Sequence, residues 1–323
     1  MRVAPAQPPV RWCRLTSRRA AGVAAASRGV LLPNKKTVFP VSEPDVPFLY
    51  EEVFVQNTYL GHGGISLAPG DTVVDVGANI GMFGLQAASL VSPGGKVLCV
   101  EPAPRAYAAL RRTLDANVAD ARCSSVDVRA LQVAVGVSSS TALLTEYPHA
   151  AGWSTLCVDD AETAANVGAY AQAADAREVL ATAPSGLKPL LALFLAPLRR
   201  TWVYAAGVQH LTRRMLRGQR LVRCDVVTVS QLLEAMRAHV PGFTRVDLLK
   251  IDVERAELDV LRGIATQEDW ACIRQVVAEV HDIDARLDTF MQLLRRDGRF
   301  THVTSLQPAN LAGSNLHVVY ATR

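Results

Sequence analysis

The segment Val73-Val74-Asp75-Val76-Gly77-Ala78-Asn79-Ile80-Gly81 gathers residue types that suit a ligand site. An apolar run passes into a glycine turn and then into helix-forming sequence. Glycine lets the backbone approach a ligand closely, and the free N–H groups of a helix start favour an anionic group. The pattern is D-x-G-x-N-x-G, not the G-x-G-x-x-G that a dinucleotide pyrophosphate requires. Asp75 would repel a pyrophosphate but suits a ligand with an ammonium group. Glu101 comes twenty positions after Gly81, at the end of the next apolar run, where a carboxylate can accept both hydroxyls of a ribose. S-adenosylmethionine is such a ligand, with an ammonium at its amino-acid end and a ribose. The predicted cofactor set is Asp75, Gly77, Asn79, Gly81 and Glu101.

A second group of polar residues closes two later apolar runs. Val246–Ile251 ends at Asp252, with Glu254 beyond it, and Gln275–Val280 contains Glu279, with His281 two residues on. Alternation along a strand puts Glu279 and His281 on one side. His281 is the first candidate for a general base, because imidazole titrates near neutral pH. Asp252 could orient it or act as the base itself, and Glu279 could fix its tautomer. Asp252, Glu279 and His281 could hold a divalent metal, but the spacing does not demand one and no metal site is assigned. Glu257 reads as a solvated helix residue or a partner for Arg262. Trp153 in Gly152-Trp153-Ser154-Thr155 could wall an acceptor pocket or serve as core, and Tyr59 and His62 could cover the cofactor or simply pack.

These residues need a scaffold that brings strand ends together. Short Val-rich runs alternate with Ala/Leu-rich helical stretches: Thr72–Val76, Lys96–Val100, Val126–Val135, Val246–Ile251 and Gln275–Val280 read as strands, and the intervening stretches as helices. Thr141–Thr145 is expected as a hairpin partner of the third strand. Phe300–Leu306 and Leu316–Ala321 lie too close for a helical crossover, so they form an antiparallel pair. The expected fold is α/β: a Rossmann-like class I methyltransferase sheet, seven-stranded and mostly parallel, with an antiparallel C-terminal strand.

The chain has 323 residues and a formal net charge of +4. Residues 1–42 carry +8 with no acid, so the rest sums to −4 and the basic balance does not imply a nucleic-acid surface on the core. The six cysteines form no C-x-x-C pair, which argues against zinc and fits an intracellular, reducing setting. No apolar run reaches membrane-spanning length. Residues 1–31 are expected to be a disordered or targeting extension, Arg-rich as chloroplast or mitochondrial transit segments are; without targeting the protein would be cytoplasmic. Residues 32–323 form the remaining domain. It is interrupted at about 158–223 by an insertion in which Leu187–Leu198 and Tyr204–Met215 show helical stripes. Eight Lys/Arg and no acid lie between Glu178 and Asp225. Such a basic amphipathic hairpin could be a lid on its own domain or a peripheral membrane contact. Nothing in the sequence indicates an oligomeric state.

VVDVGANIGMFGL, VEPAP and DLLKIDVERAELDVLRGI, with FLYEEVFVQNTYL upstream and VVAEVHD downstream, resemble the FkbM family of S-adenosylmethionine-dependent methyltransferases from about Leu32 to the C-terminus. The resemblance implies a class I fold, S-adenosylmethionine as cofactor, and O-methylation of a hydroxyl on a small-molecule or glycan acceptor. Where the family reads D-V-E-G-A-E, this chain has Arg255 in place of the glycine, which bears on substrate preference. The alternatives are a nucleic-acid methyltransferase, disfavoured because Ile251-Asp252-Val253-Glu254 replaces an N/D-P-P-Y element, a non-catalytic binding protein that keeps the fold, and, weakest, a nicotinamide-dependent oxidoreductase.

Overall fold

The computed structural model describes residues 13–14, 28–117, 125–148, 150–173, 207, 210, 212, 216–308 and 311–323. Seven strands form the central sheet: β1 (Thr72–Val76), β2 (Lys96–Val100), β3 (Asp127–Leu131), β4 (Leu248–Ile251), β5 (Gln275–His281), β6 (His302–Leu306) and β7 (Leu316–Thr322). Their spatial order is β3-β2-β1-β4-β5-β7-β6. β1 to β5 pair in parallel, and β7 runs antiparallel to both β5 and β6. This is the class I methyltransferase sheet. Two residues of the N-terminal extension, Cys13–Arg14, pair antiparallel with the free edge of β3.

The central strands are apolar runs because both faces are covered. Strand alternation splits them into two core layers. Val74, Val76, Leu98, Val100, Leu131 and Ile251 pack against the helices Val229–His239, Glu257–Arg262 and Arg286–Arg296. Val73, Val97, Cys99, Leu248 and Val277 face the other way, against Met82–Leu90 and Pro104–Asn117. The helix Val229–His239 starts with a capping box, in which Thr228 accepts from Gln231 N and the Gln231 side chain accepts from Thr228 N.

Two expectations are corrected. The third strand does not run through to residue 135. It stops at Leu131, and Ala134–Val135 joins a separate sheet with Ser140–Glu146 and Arg220–Val227. Ser140–Glu146 therefore pairs antiparallel not with β3 but with Arg220–Val227, some eighty residues on. The expected insertion thus ends in a strand that starts at Arg220, and it begins with a helix, Asp160–Ala173. Local periodicity could not show this pairing because the partner strand lies some eighty residues on, across the end of the expected insertion. The stripes expected at Leu187–Leu198 and Tyr204–Met215 lie outside the described residues, as does most of the N-terminal extension. No helix among the described residues is long and apolar enough to cross a membrane.

Candidate active site

The turn after β1 is built for close backbone approach. Gly77 has φ +81°, and a Cβ there would lie 1.7 Å from the Asp252 carbonyl oxygen, so no other residue fits without moving β4. Gly77 N and Ala78 N both donate to Val100 O at 2.9 and 3.0 Å. Asn79 has φ +47°, and its N–H points at Glu101 Oε2, 2.8 Å away. Gly81 has φ +91° and precedes the helix Met82–Leu90, but it does not line the cavity. A Cβ there would stand 2.7 Å from Leu110 Cδ1, so its smallness serves helix packing.

Asp75 occupies a different place from the one expected of a ligand for an ammonium group. It is fully buried and does not line the cavity. In the sheet register it is the neighbour of Lys250 on β4, and neighbours across a parallel pair share a face. Lys250 Nζ lies 3.1 Å from Asp75 Oδ1 and 3.3 Å from Asp252 Oδ2, and donates to Gly77 O at 3.0 Å. Burial opposes the ammonium charge, but the Asp75 and Asp252 carboxylates outweigh it and raise the Lys250 pKa. Lys250 was not anticipated. Its signal was a lysine inside an apolar strand, which must find a counter-charge.

Glu101 ends β2, 6% exposed, on the cavity wall. Its two carboxylate oxygens accept from Asn79 N and Ala103 N, each at 2.8 Å. Burial outweighs those bonds and pushes its pKa up to about 7.

The carboxyl ends of β4 and β5 gather Asp252, Glu254, Glu279 and His281 on one cavity. A helical turn wound wider than an α-helix, Glu51–Val55, adds Glu52 from above; such turns recur at functional sites. The Tyr59 hydroxyl lies 3.1 Å from Asp252 Oδ2 and 3.4 Å from Glu52 Oε1, tying that turn to β4. Burial and then repulsion from Asp252 raise Glu52 to about 7. Glu279 goes well above the usual carboxyl value through burial and the Asp252, Glu52 and Glu254 charges.

His281 is 3% exposed, and both ring nitrogens meet carboxylates: Nδ1 is 3.1 Å from Glu257 Oε1 and Nε2 is 3.3 Å from Glu254 Oε2. Burial disfavours its charge, but these two partners prevail and hold its pKa well above 6.5. A ring that donates from both nitrogens has no lone pair to accept a proton. Glu257 is therefore neither solvated nor paired with Arg262. It is 1% exposed, bonded to His281 and to Arg255 N at 2.7 Å, while Arg262 pairs with Asp259.

The cavity measures about 920 Å³, near the upper end of ligand pockets. Gly152, Trp153 and Ser154 line it; Tyr59 is buried behind it, and His62 packs on Tyr320 instead, ring centroids 5.9 Å apart. Among the described residues, two polar atoms on its wall are buried without a protein partner, Asn79 Oδ1 and Ser154 Oγ. Unpaired buried polar atoms are costly, and a ligand would satisfy them. Acids at the strand ends, a carboxylate beside the glycine turn and these two free polar atoms fit a ribose-bearing ligand with net positive charge. Among the described residues no group of three or more His, Cys, Asp or Glu is arranged to hold a metal.

Comparison with known proteins points the same way. The family described as the methyltransferase FkbM domain matches residues 75–300. The 31-O-demethyl-FK506 methyltransferase FkbM of Streptomyces tacrolimicus is 37% identical over 292 residues, covering 90% of this chain and 95% of that protein. Methyltransferase sdnD of Sordaria araneosa is 30% identical over 255 residues, covering 76% of this chain and 79% of that one. Among solved structures, a methyltransferase FkbM from Methylobacillus flagellatus aligns at TM-score 0.44 with 13% identity, covering 86% of this chain and 50% of that one.

Proposed function

The chain belongs to the FkbM family of methyltransferases, and from that premise we propose that it transfers a methyl group from S-adenosylmethionine to a hydroxyl of a small molecule or sugar. The observation that carries this reading is a cavity whose wall joins the glycine turn and Glu101 to the strand-end acids of β4 and β5. The name of the Streptomyces relative, which acts on an O-demethylated FK506, supports a hydroxyl acceptor of that kind.

Glu101 would hold the ribose hydroxyls, the Gly77–Asn79 backbone would lie along the ligand, and Asn79 Oδ1 and Ser154 Oγ would take its polar groups. S-adenosylmethionine supplies, when bound, a methyl group activated on a sulfonium. The residues around it must align the acceptor and remove its proton. Asp252 is the group for that. Its Oδ2 is held by Lys250 and Tyr59, while its Oδ1 has no protein partner among the described residues and belongs to a cavity-lining side chain. The acceptor proton passes to Asp252 Oδ1. Glu279, kept protonated by burial and its acidic neighbours, donates a hydrogen bond to the acceptor. His281 acts as a fixed cation holding Glu254 and Glu257 in place.

The test is methyl-tritiated S-adenosylmethionine with hydroxylated macrocycles, sterols and sugars, and with RNA and DNA as controls. Label is expected in an ether product, and Asp252→Asn is expected to lower turnover about 100-fold or more, as loss of a positioned base does. Label in nucleic acid, or an Asp252→Asn enzyme as fast as wild type, would overturn the reading.

A further inference from the structure

Position 255 carries an arginine in a backbone conformation that favours glycine. Glu254 and Arg255 have consecutive positive φ values, +53° and +78°. A left-handed conformation is unfavourable for a residue with a Cβ, so the side chain must do something that a glycine could not.

The Arg255 side chain is buried and reaches out of the β4 loop into the start of the insertion. Its Nε donates to Glu162 Oε2 at 2.6 Å, Nη1 to Cys157 O at 3.3 Å, and Nη2 to Asp159 O at 3.1 Å and to Thr163 Oγ1. Every polar atom of the guanidinium is therefore spent on a segment about ninety residues away in sequence. Its backbone stays tied to the active site, with Arg255 N donating to Glu257 Oε1 at 2.7 Å and Arg255 O accepting from Arg286 at 3.0 Å. Thr155 Oγ1 donates to Glu254 O at 2.6 Å, a second stitch between the same two segments.

The helix held this way, Asp160–Ala173, is part of the cavity wall. Thr163, Asn166 and Val167 line it, and Thr163 is bonded to Arg255, which lines it together with Glu254 and His281. It is also fastened to the chain before β7, where Asn315 Nδ2 donates to Glu162 Oε1 at 2.6 Å and Asn315 N to Asn166 Oδ1 at 3.3 Å. Glu162 is thus shared by both fastenings.

We propose that Arg255 is a positioning residue that clamps helix Asp160–Ala173 over the strand-end half of the cavity, so that this helix forms the wall of the acceptor pocket. The acceptor half of this statement rests on the methyltransferase reading above; the clamp does not. A planar guanidinium reaches several acceptors at once from a fixed fork, which a lysine cannot do. Acceptor shape is then read by a helix whose place depends on the side chain at position 255.

The test is amide hydrogen exchange on the full chain, with S-adenosylhomocysteine affinity measured by calorimetry in parallel. Arg255→Gly removes the clamp and suits the local backbone, and Glu162→Gln loosens the same tie from the helix side. Exchange in residues 160–167 is expected to quicken about tenfold or more in both variants, as local opening does, while exchange in β1, β4 and β5 stays as in wild type. Arg255→Lys is expected to restore the protection only in part, and the double variant to exchange less fast than the two single effects combined, because both changes cut the shared Arg255–Glu162 tie. The cofactor product is expected to bind the variants within about threefold of wild type. Unchanged exchange in 160–167 in both single variants, or faster exchange throughout the sheet, would overturn the clamp. Wild-type protein that does not bind S-adenosylhomocysteine would overturn the cofactor reading and leave the clamp to be decided by exchange alone.

Discussion

Lys250 and Asp75 face each other across the β4–β1 pair, Nζ to Oδ1 3.1 Å, both buried beneath the glycine turn. The pair gives Asp75 a structural task. It balances a buried ammonium that also anchors Gly77 O and Asp252. Removing one partner of a buried pair leaves an uncompensated charge, typically at a cost of about 3–5 kcal/mol. Lys250→Met and Asp75→Leu are each expected to destabilise on that scale, and the double variant less than the sum. Urea denaturation of the four proteins measures this. Additive losses would show that the two side chains do not depend on each other.

His281 is expected to behave as a held cation and not as a titrating base. His281→Gln leaves the buried Glu254 and Glu257 without their shared positive partner, so a clear drop in stability is expected. Because its folded pKa is raised above the unfolded value of 6.5, its contribution is complete below about 6.5 and is lost as pH rises through the higher folded value. Proton-detected NMR of the ring nitrogens at pH 7.5 checks the charge directly: two N–H signals support the held cation, and one signal returns His281 to candidacy as base.

Glu101 makes the stability of the free protein and its affinity for cofactor respond oppositely to pH. Its pKa is raised from 4.5 to about 7, so the stability it contributes is complete below about 4.5 and is lost as pH rises through about 7. Ribose hydroxyls donating to the carboxylate favour its charged form, so binding releases a proton. The affinity for S-adenosylhomocysteine is therefore expected to rise about tenfold from pH 6 to pH 8. Titrations in buffers of different ionisation enthalpy count that proton. An affinity that is flat or falls over the same range would contradict the assignment.

The sheet was readable from the sequence because buried parallel strands leave a continuous Val-rich signature, and the closeness of β6 and β7 dictates an antiparallel pair. The glycine turn was equally legible, since Gly77 is constrained by contact with β4. What could not be read depends on residues far apart in the chain. Asp75 looked like a ligand until the register set Lys250 beside it. Glu257 looked solvated because helical periodicity does not reveal that its first turn packs on His281. Glu52 and Tyr59 join the site through a turn some 200 residues before Asp252. The long-range partner of Ser140–Glu146 spans the far end of the insertion.

The central claim is that Glu101, beside the glycine turn, holds the cofactor. Calorimetric titration of wild type and Glu101→Gln with S-adenosylmethionine at pH 7.5 tests it most directly, with thermal unfolding run on both proteins. Glu101→Gln removes the buried charge but turns an amide NH2 toward one of the Asn79 and Ala103 N–H groups, so the unfolding scans serve to establish that both proteins are folded at the titration temperature. The account predicts micromolar binding to wild type, about −8 kcal/mol, weakened at least tenfold in the folded variant. Equal affinity in the two folded proteins would contradict it.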